Sequence, residues 1–261
     1  GLVGSEMCIR DSYKAEVPTV TGPIRRKGPV HAMEAAAARA HTTRKLKFTL
    51  PGPMTIVDTI ADEHYGRRED LAMAFAAVLN EEAKELQALG VDIVQFDEPA
   101  FNVYMKEVSD WGVAALERAA EGLTCTTAVH ICYGYGIKAN IDWKATLGDS
   151  WRHYEQTFPA LQRSSIDQVS LECRNSKVPL DLIRLLDGKD VLAGCIDVAS
   201  NDVETPEEVA ETIRAVLAYV APEKLFPCTN CGMAPMTQGV AYGKLSALAR
   251  GAALARRELA G

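Results

Sequence analysis

Residues 124–134 read Thr-Cys-Thr-Thr-Ala-Val-His-Ile-Cys-Tyr-Gly. The run is apolar through its middle and stops at a glycine, which predicts a strand covered on both faces. Its chemistry sits at the C-terminal end. His130 and Cys132 are two apart, and the two-residue period of a strand would put both side chains on one face. Five other runs have this shape: KLKFTL (45–50), VDIVQFDEP (91–99), DQVSLECR (167–174), DVLAGCIDVAS (190–200) and KLFPCTNCG (224–232). Helical patterns separate them. Arg68–Leu89 carries Leu71, Phe75, Val78, Leu79 and Leu86 on one face and stops at Gly90. Thr205-Pro206-Glu207-Glu208 is a capping box that opens a helix with Val209, Ile213 and Val216 inside. Further helices are expected over 31–41, 110–122, 150–161, 179–186 and 243–259.

Repeated strand–helix units predict a parallel sheet with right-handed crossovers. Two closures fit, a doubly wound sheet and a (β/α)8 TIM barrel. No Gly-x-Gly-x-x-Gly follows a strand, and polar residues gather at the C-terminal ends of several different strands. That distribution marks a barrel. Six units are legible where a barrel has eight, so the first two strands are expected to be missing with the natural N-terminus. Residues 1–12, GLVGSEMCIRDS, have no period and resemble an adapter-derived scar. They are expected to be unstructured, with the truncated barrel spanning 13–261. Val17–Thr21 is expected to be an excursion between lost and retained units.

The chain has 261 residues, a formal charge of −7 and seven cysteines. The acidic balance argues against a nucleic-acid surface, and no apolar run is long enough to span a bilayer. With no export signal in the sequence, the cysteines point to thiols in a reducing cytoplasm.

His130 and Cys132 make half of a zinc site. Cys228-x2-Cys231 admits three readings: both cysteines ligate metal, both form a redox pair, or Cys231 ligates while Cys228 packs. Glu172 is a carboxylate in an apolar strand, a costly placement unless it binds metal or pairs with Arg174. Asp97 and Glu98 end their strand as an acid pair. They can bind an ammonium group or do acid–base work, or one can cap a helix. Asp197 is an active-face acid or a loop cap.

The strand ends FDEPAF, VHICYG, SLEC and CTNCG, in this order, resemble the cobalamin-independent methionine synthases, and most of all their short single-barrel branch. The resemblance covers about 13–261. It implies a barrel of the methionine synthase and uroporphyrinogen decarboxylase type. It implies zinc held by His130, Cys132, Glu172 and Cys231, with Cys231 chosen over Cys228 because Gly232 follows it. It implies that Asp97, beside Glu98, holds the substrate amino group, and that homocysteine is methylated on sulfur. Glu172, the one oxygen ligand, would be displaced when the thiol arrives, and Asp197 would lie on the active face. The family's Ile-Asp-Val-His-Ser reads Ile-Asp-Val-Ala-Ser here, with Ala199 in place of the histidine. The methyl donor is therefore methyl-tetrahydrofolate or another carrier, such as a methyl-carrier protein. The competing readings are a zinc-dependent alkyltransferase for a different thiol, a metal-free uroporphyrinogen decarboxylase-like barrel, and a binding module with structural zinc.

Overall fold

A computed structural model describes residues 4–9, 13–135 and 138–261. Contacts divide the chain into two units, residues 1–131 with 163–167, and residues 132–162 with 168–261.

In the first unit, β1 (Gly4–Ile9) pairs antiparallel with β2 (Tyr13–Val20), in register from Gly4↔Pro18 to Ile9↔Tyr13. Over Gly4–Ile9 this differs from the expectation that residues 1–12 lack structure, the rest of which lies outside the described residues, and it makes the Val17–Thr21 excursion largely strand. Strand formation here comes from a pairing partner, which side-chain periodicity does not report. Next come α1 (Ala32–Ala40), β3 (Lys47–Pro51), α2 (Pro53–Asp58) and the short β4 (Ala61–Asp62), which runs parallel to β2. The long α3 (Arg68–Ala88) ends where Gly90 takes a φ of +89°, the left-handed turn that a glycine allows. Its buried stripe is Leu71, Ala72, Ala76, Ala83 and Leu86, whereas Phe75, Val78 and Leu79 are half-buried. The small alanines lie on the buried side because they let the helix approach closely, which a reading based on large residues misplaces.

After β5 (Ile93–Asp97) the chain makes a 3-10 turn over Pro99–Asn102 and the single turn α4 (Met105–Glu107). A π-helical stretch, Val108–Gly112, leads into α5 (Val113–Ala120), and β6 (Thr126–His130) follows. Strands β3, β5 and β6 are parallel, with Pro51 opposite Asp97 and Asp97 opposite His130. The register therefore brings the C-terminal ends of these strands level, and the polar residues with them.

The second unit contains α6 (Lys138–Thr146), which the sequence pattern did not suggest, and α7 (Tyr154–Arg163). Then come β7 (Gln168–Glu172), a 3-10 stretch over Leu180–Leu186, and β8 (Asp190–Ile196). The remaining elements are α8 (Pro206–Val216), β9 (Leu225–Thr229) and α9 (Gln238–Ala260). The capping box is formed as expected, with Thr205 accepting from Glu208 N and the Glu208 side chain returning to Thr205 N. Strands β7, β8 and β9 are parallel, with Glu172 opposite Gly194 and Gly194 opposite Cys228. All five residues of β7 are buried, so its carboxylate at Glu172 must find polar partners inside the protein. All six expected strands are present, in order. Among the described residues, no helix is long and apolar enough to cross a membrane.

Candidate metal centre

Strand β6 ends at His130, so Cys132 lies just past the strand rather than on its face as the two-residue period predicts. Cys231 likewise follows the end of β9 by two residues. Cys132 Sγ lies 3.5 Å from Cys231 Sγ. That is well beyond the ~2.05 Å of a disulfide, and neither cysteine is disulfide-bonded. One ligand atom from each of His130, Cys132 and Cys231 falls within 4.8 Å of the others. Cys228 is not in this group. It sits within β9, opposite Gly194.

The donor set fits a zinc-like ion. An imidazole and two sulfurs suit a borderline-soft divalent cation. Two sulfurs each ~2.3 Å from a tetrahedral ion would stand roughly 3.8 Å apart, close to the separation found. The electrostatics agree. The hydrogen bond with Cys231, then burial and the charges of Cys231 and Glu172, hold the Cys132 thiol well above its ordinary value. Two thiolates this close require a positive charge beside them.

Glu172 is fully buried, and its carboxylate accepts from Tyr133 N (2.8 Å) and from the Tyr135 hydroxyl (2.7 Å). It does not belong to the His130–Cys132–Cys231 group. The alternative pairing with Arg174 does not occur, because Arg174 Nη2 donates to Glu208 at 2.6 Å. The Tyr133 ring stacks on Trp143 and packs against Trp151 and Tyr154, with centroids 5.8, 5.0 and 5.4 Å away. This cluster fixes the turn after Cys132, and with it the amide that meets Glu172. Tyr133 and Tyr135 follow Cys132 almost directly. Two aromatics in the turn after a His-x-Cys were the available signal for this part of the site.

Asn230, the residue before Cys231, is almost fully buried. Its side chain donates to Arg174 O (2.7 Å) and accepts from Cys173 N (3.3 Å), and its own amide donates to Ile196 O (2.9 Å). It therefore binds the backbone just after Glu172 to the backbone just before Cys231. Gly194 makes room for it, since a Cβ there would stand 2.3 Å from Asn230 Oδ1 and 2.8 Å from its Cα.

Among the other expected site residues, Asp97 is half-buried at the end of β5 and accepts from Gln95 Nε2 at 2.8 Å. Both oxygens of Asp197 are engaged, one by Ala199 N (2.7 Å) and one by Asn175 Nδ2 (3.2 Å). Its own amide donates to Glu204 Oε1 at 2.8 Å. Asp197 thus closes the loop after β8, the loop-cap alternative.

Glu98, expected beside Asp97 at the substrate, has partners within the protein. Its carboxylate is fully buried and accepts from Met54 N (3.0 Å), Thr55 N (2.8 Å) and Thr55 Oγ1 (2.7 Å). It satisfies the orphan amides at the start of α2, the capping alternative applied to a helix distant in sequence. Burial, reinforced by the Asp97 charge and opposed by the Thr55 and Met54 donors, raises its pKa to about 7. The folded chain then holds a proton that the unfolded chain releases near its lower carboxylate value. This contribution favours folding below that value and is lost as pH rises through about 7. Between pH 5 and 8 it amounts to on the order of 3 kcal/mol. Glu98→Gln is expected to remove that fall from the stability–pH curve measured by urea unfolding. Parallel curves for the two proteins would contradict this.

Comparison with known proteins places these features in a family. Residues 4–254 match the family described as "Cobalamin-independent synthase, Catalytic domain". A methionine synthase of Saccharolobus islandicus is 36% identical over 220 residues, covering 83% of this chain and 60% of that protein. One from Saccharolobus solfataricus is 33% identical over 246 residues, covering 93% of this chain and 68% of that protein. This chain thus spans less than two thirds of the length of the first of these relatives. Among solved structures, a B12-independent methionine synthase from Shewanella sp. W3-18-1, in complex with selenomethionine, superposes with a TM-score of 0.95 at 59% identity. The match covers 98% of this chain and 75% of that one. The fold is accordingly the TIM-barrel type expected from the strand-end pattern. On the family match, the sequence relatives and the superposition together, the chain belongs to the cobalamin-independent synthase family and carries its catalytic domain.

Proposed function

We propose that this chain carries the centre of a zinc-dependent S-methyltransferase that converts homocysteine to methionine. The observation that supports this most is the Cys132–Cys231 sulfur pair, 3.5 Å apart and grouped with His130, in a chain of this family. His130, Cys132, Glu172 and Cys231 would hold the metal. Zinc bound there would keep the substrate sulfur as its thiolate at neutral pH. Asp97 would hold the substrate ammonium group, and its Gln95 contact would fix its orientation. The solved Shewanella relative contains selenomethionine, the selenium form of the proposed product, which supports methionine as that product here.

In the transfer, the substrate sulfur gains the methyl carbon and the bond between that carbon and the donor breaks. The electron pair leaves with the donor, and the thiol proton goes to solvent. A methyl on a folate amine leaves poorly unless the nitrogen is protonated, and Ala199 carries no proton to give. With both oxygens of Asp197 engaged, that residue would order the loop rather than supply the proton. Ala199 therefore favours a methyl-carrier protein over methyl-tetrahydrofolate as donor. The reading also calls for a reducing compartment such as the cytoplasm, because oxidation of the sulfur pair would remove two ligands.

The test is methionine formation by the zinc-loaded chain supplied with homocysteine and each donor in turn. Asp97→Asn is expected to raise KM for homocysteine by about 10- to 100-fold, the worth of a charge-assisted hydrogen bond. It should leave a thiol without an amino group unaffected. Equal loss for both thiols would contradict the role given to Asp97, and no methionine from either donor would contradict the function.

A further inference from the structure

We propose that Tyr135 is a positioning residue that receives the Glu172 carboxylate when a substrate thiol takes its place at the metal, with Lys144 as the countercharge. The inference rests on the zinc reading above and adds a device for ligand exchange to it. With His130, Cys132, Glu172 and Cys231 all ligating, an incoming thiol must displace one of them. The displaced group needs somewhere to go.

Glu172 has such a place. Its two oxygens are met by Tyr133 N at 2.8 Å and by the Tyr135 hydroxyl at 2.7 Å. In this position it stands outside the His130–Cys132–Cys231 group. The Glu172 carboxylate is fully buried, so releasing it there without donors would leave an uncompensated charge, which is strongly unfavourable. Lys144 on α6 supplies the balancing charge. Its Nζ stands 3.5 Å from the Tyr135 ring centroid and 5.7 Å from that of Trp151. A cation on the ring face also makes the phenol a better donor.

The exchange balances without redox chemistry. The thiol would release its proton to solvent and arrive as thiolate, and Glu172 would leave as carboxylate, so the charge carried by the ligand set would be unchanged. The site as a whole would gain one negative charge, which the Lys144 ammonium faces.

The geometry predicts opposite responses in two equilibria. A group that supported Glu172 as a resting ligand would strengthen zinc binding, and its loss would weaken zinc retention by 10- to 100-fold. A group that holds Glu172 after displacement stabilises only the thiol-bound state. Tyr135→Phe in the whole chain is therefore expected to leave zinc affinity unchanged or raised, read by competition with a chromophoric chelator. Its dissociation constant for homocysteine should rise about tenfold or more, read from the thiolate-to-metal absorption of the cobalt-substituted protein. Lys144→Met, a substitution at a half-exposed helical position, should move both equilibria in the same directions by a smaller amount.

Unchanged homocysteine affinity in both variants would overturn the inference. So would a loss of zinc affinity matching the loss of thiol affinity. A wild-type chain that binds no zinc would overturn the zinc reading together with this one, so the two failures are separable.

Discussion

Cys231→Ser is expected to abolish zinc retention through purification and methionine formation with it. A serine hydroxyl does not ionise near neutral pH and is a poor ligand for a borderline-soft ion. Losing an inner ligand should cost more than the 10- to 100-fold typical of changes to outer partners. The same substitution removes the largest cause of the raised Cys132 thiol, which is its hydrogen bond with Cys231. Cys132 should therefore alkylate faster in metal-free Cys231→Ser than in metal-free wild type. The control is Cys228→Ser, three residues away within β9, which should keep its zinc. Metal analysis of the three purified proteins checks this. Equal zinc in wild type and Cys231→Ser, or zinc lost only from Cys228→Ser, would refute the assignment.

Gly194→Ala is expected to have the largest effect among changes outside the ligand set. The added carbon would meet the Asn230 backbone at 2.8 Å and its side-chain oxygen at 2.3 Å. Neither atom can yield freely. Asn230 is held by Arg174 O, Cys173 N and Ile196 O, and β8 is buried almost throughout. Overpacking of this kind costs about 1–3 kcal/mol or somewhat more when backbone must shift, which lowers a melting midpoint by roughly 2–12 °C in a chain of this size. Because Asn230 spaces Glu172 from Cys231, zinc affinity should fall along with stability. Asn230→Ala removes the side-chain part of the clash, though not the backbone contact, and loses the same bonds, so combining it with Gly194→Ala should be less damaging than the sum of the two single changes. Additive losses would mean that the two positions do not act through each other.

Much of this was legible because it depends on local chemistry. The six core strands declare themselves as short apolar runs, four of which break at glycine or proline. The capping box at Thr205–Glu208 specifies its helix start by side-chain geometry alone. His-x-Cys and the late Cys-Gly are visible as thiol and imidazole at strand ends. What escaped depends on distant partners. The strand over Gly4–Ile9 exists because Tyr13–Val20 pairs with it, and α3 faces inward through alanines that carry little hydrophobic signal. Glu98 looked like half of an acid pair, yet its partners are amides more than forty residues earlier in the chain. The Tyr135 and Asn230 contacts of the site also lie across sequence separations of 37 and 56–57 residues. No spacing rule reaches that far.

The measurement that bears most directly on the central claim is X-ray absorption at the zinc edge of the intact chain, recorded before and after homocysteine is added. One zinc per chain is expected, ligated by two sulfurs with nitrogen and oxygen completing four. On addition of homocysteine a third sulfur should appear at the expense of oxygen. Zinc with two sulfurs before and after homocysteine, or a chain that retains no zinc, would contradict the account.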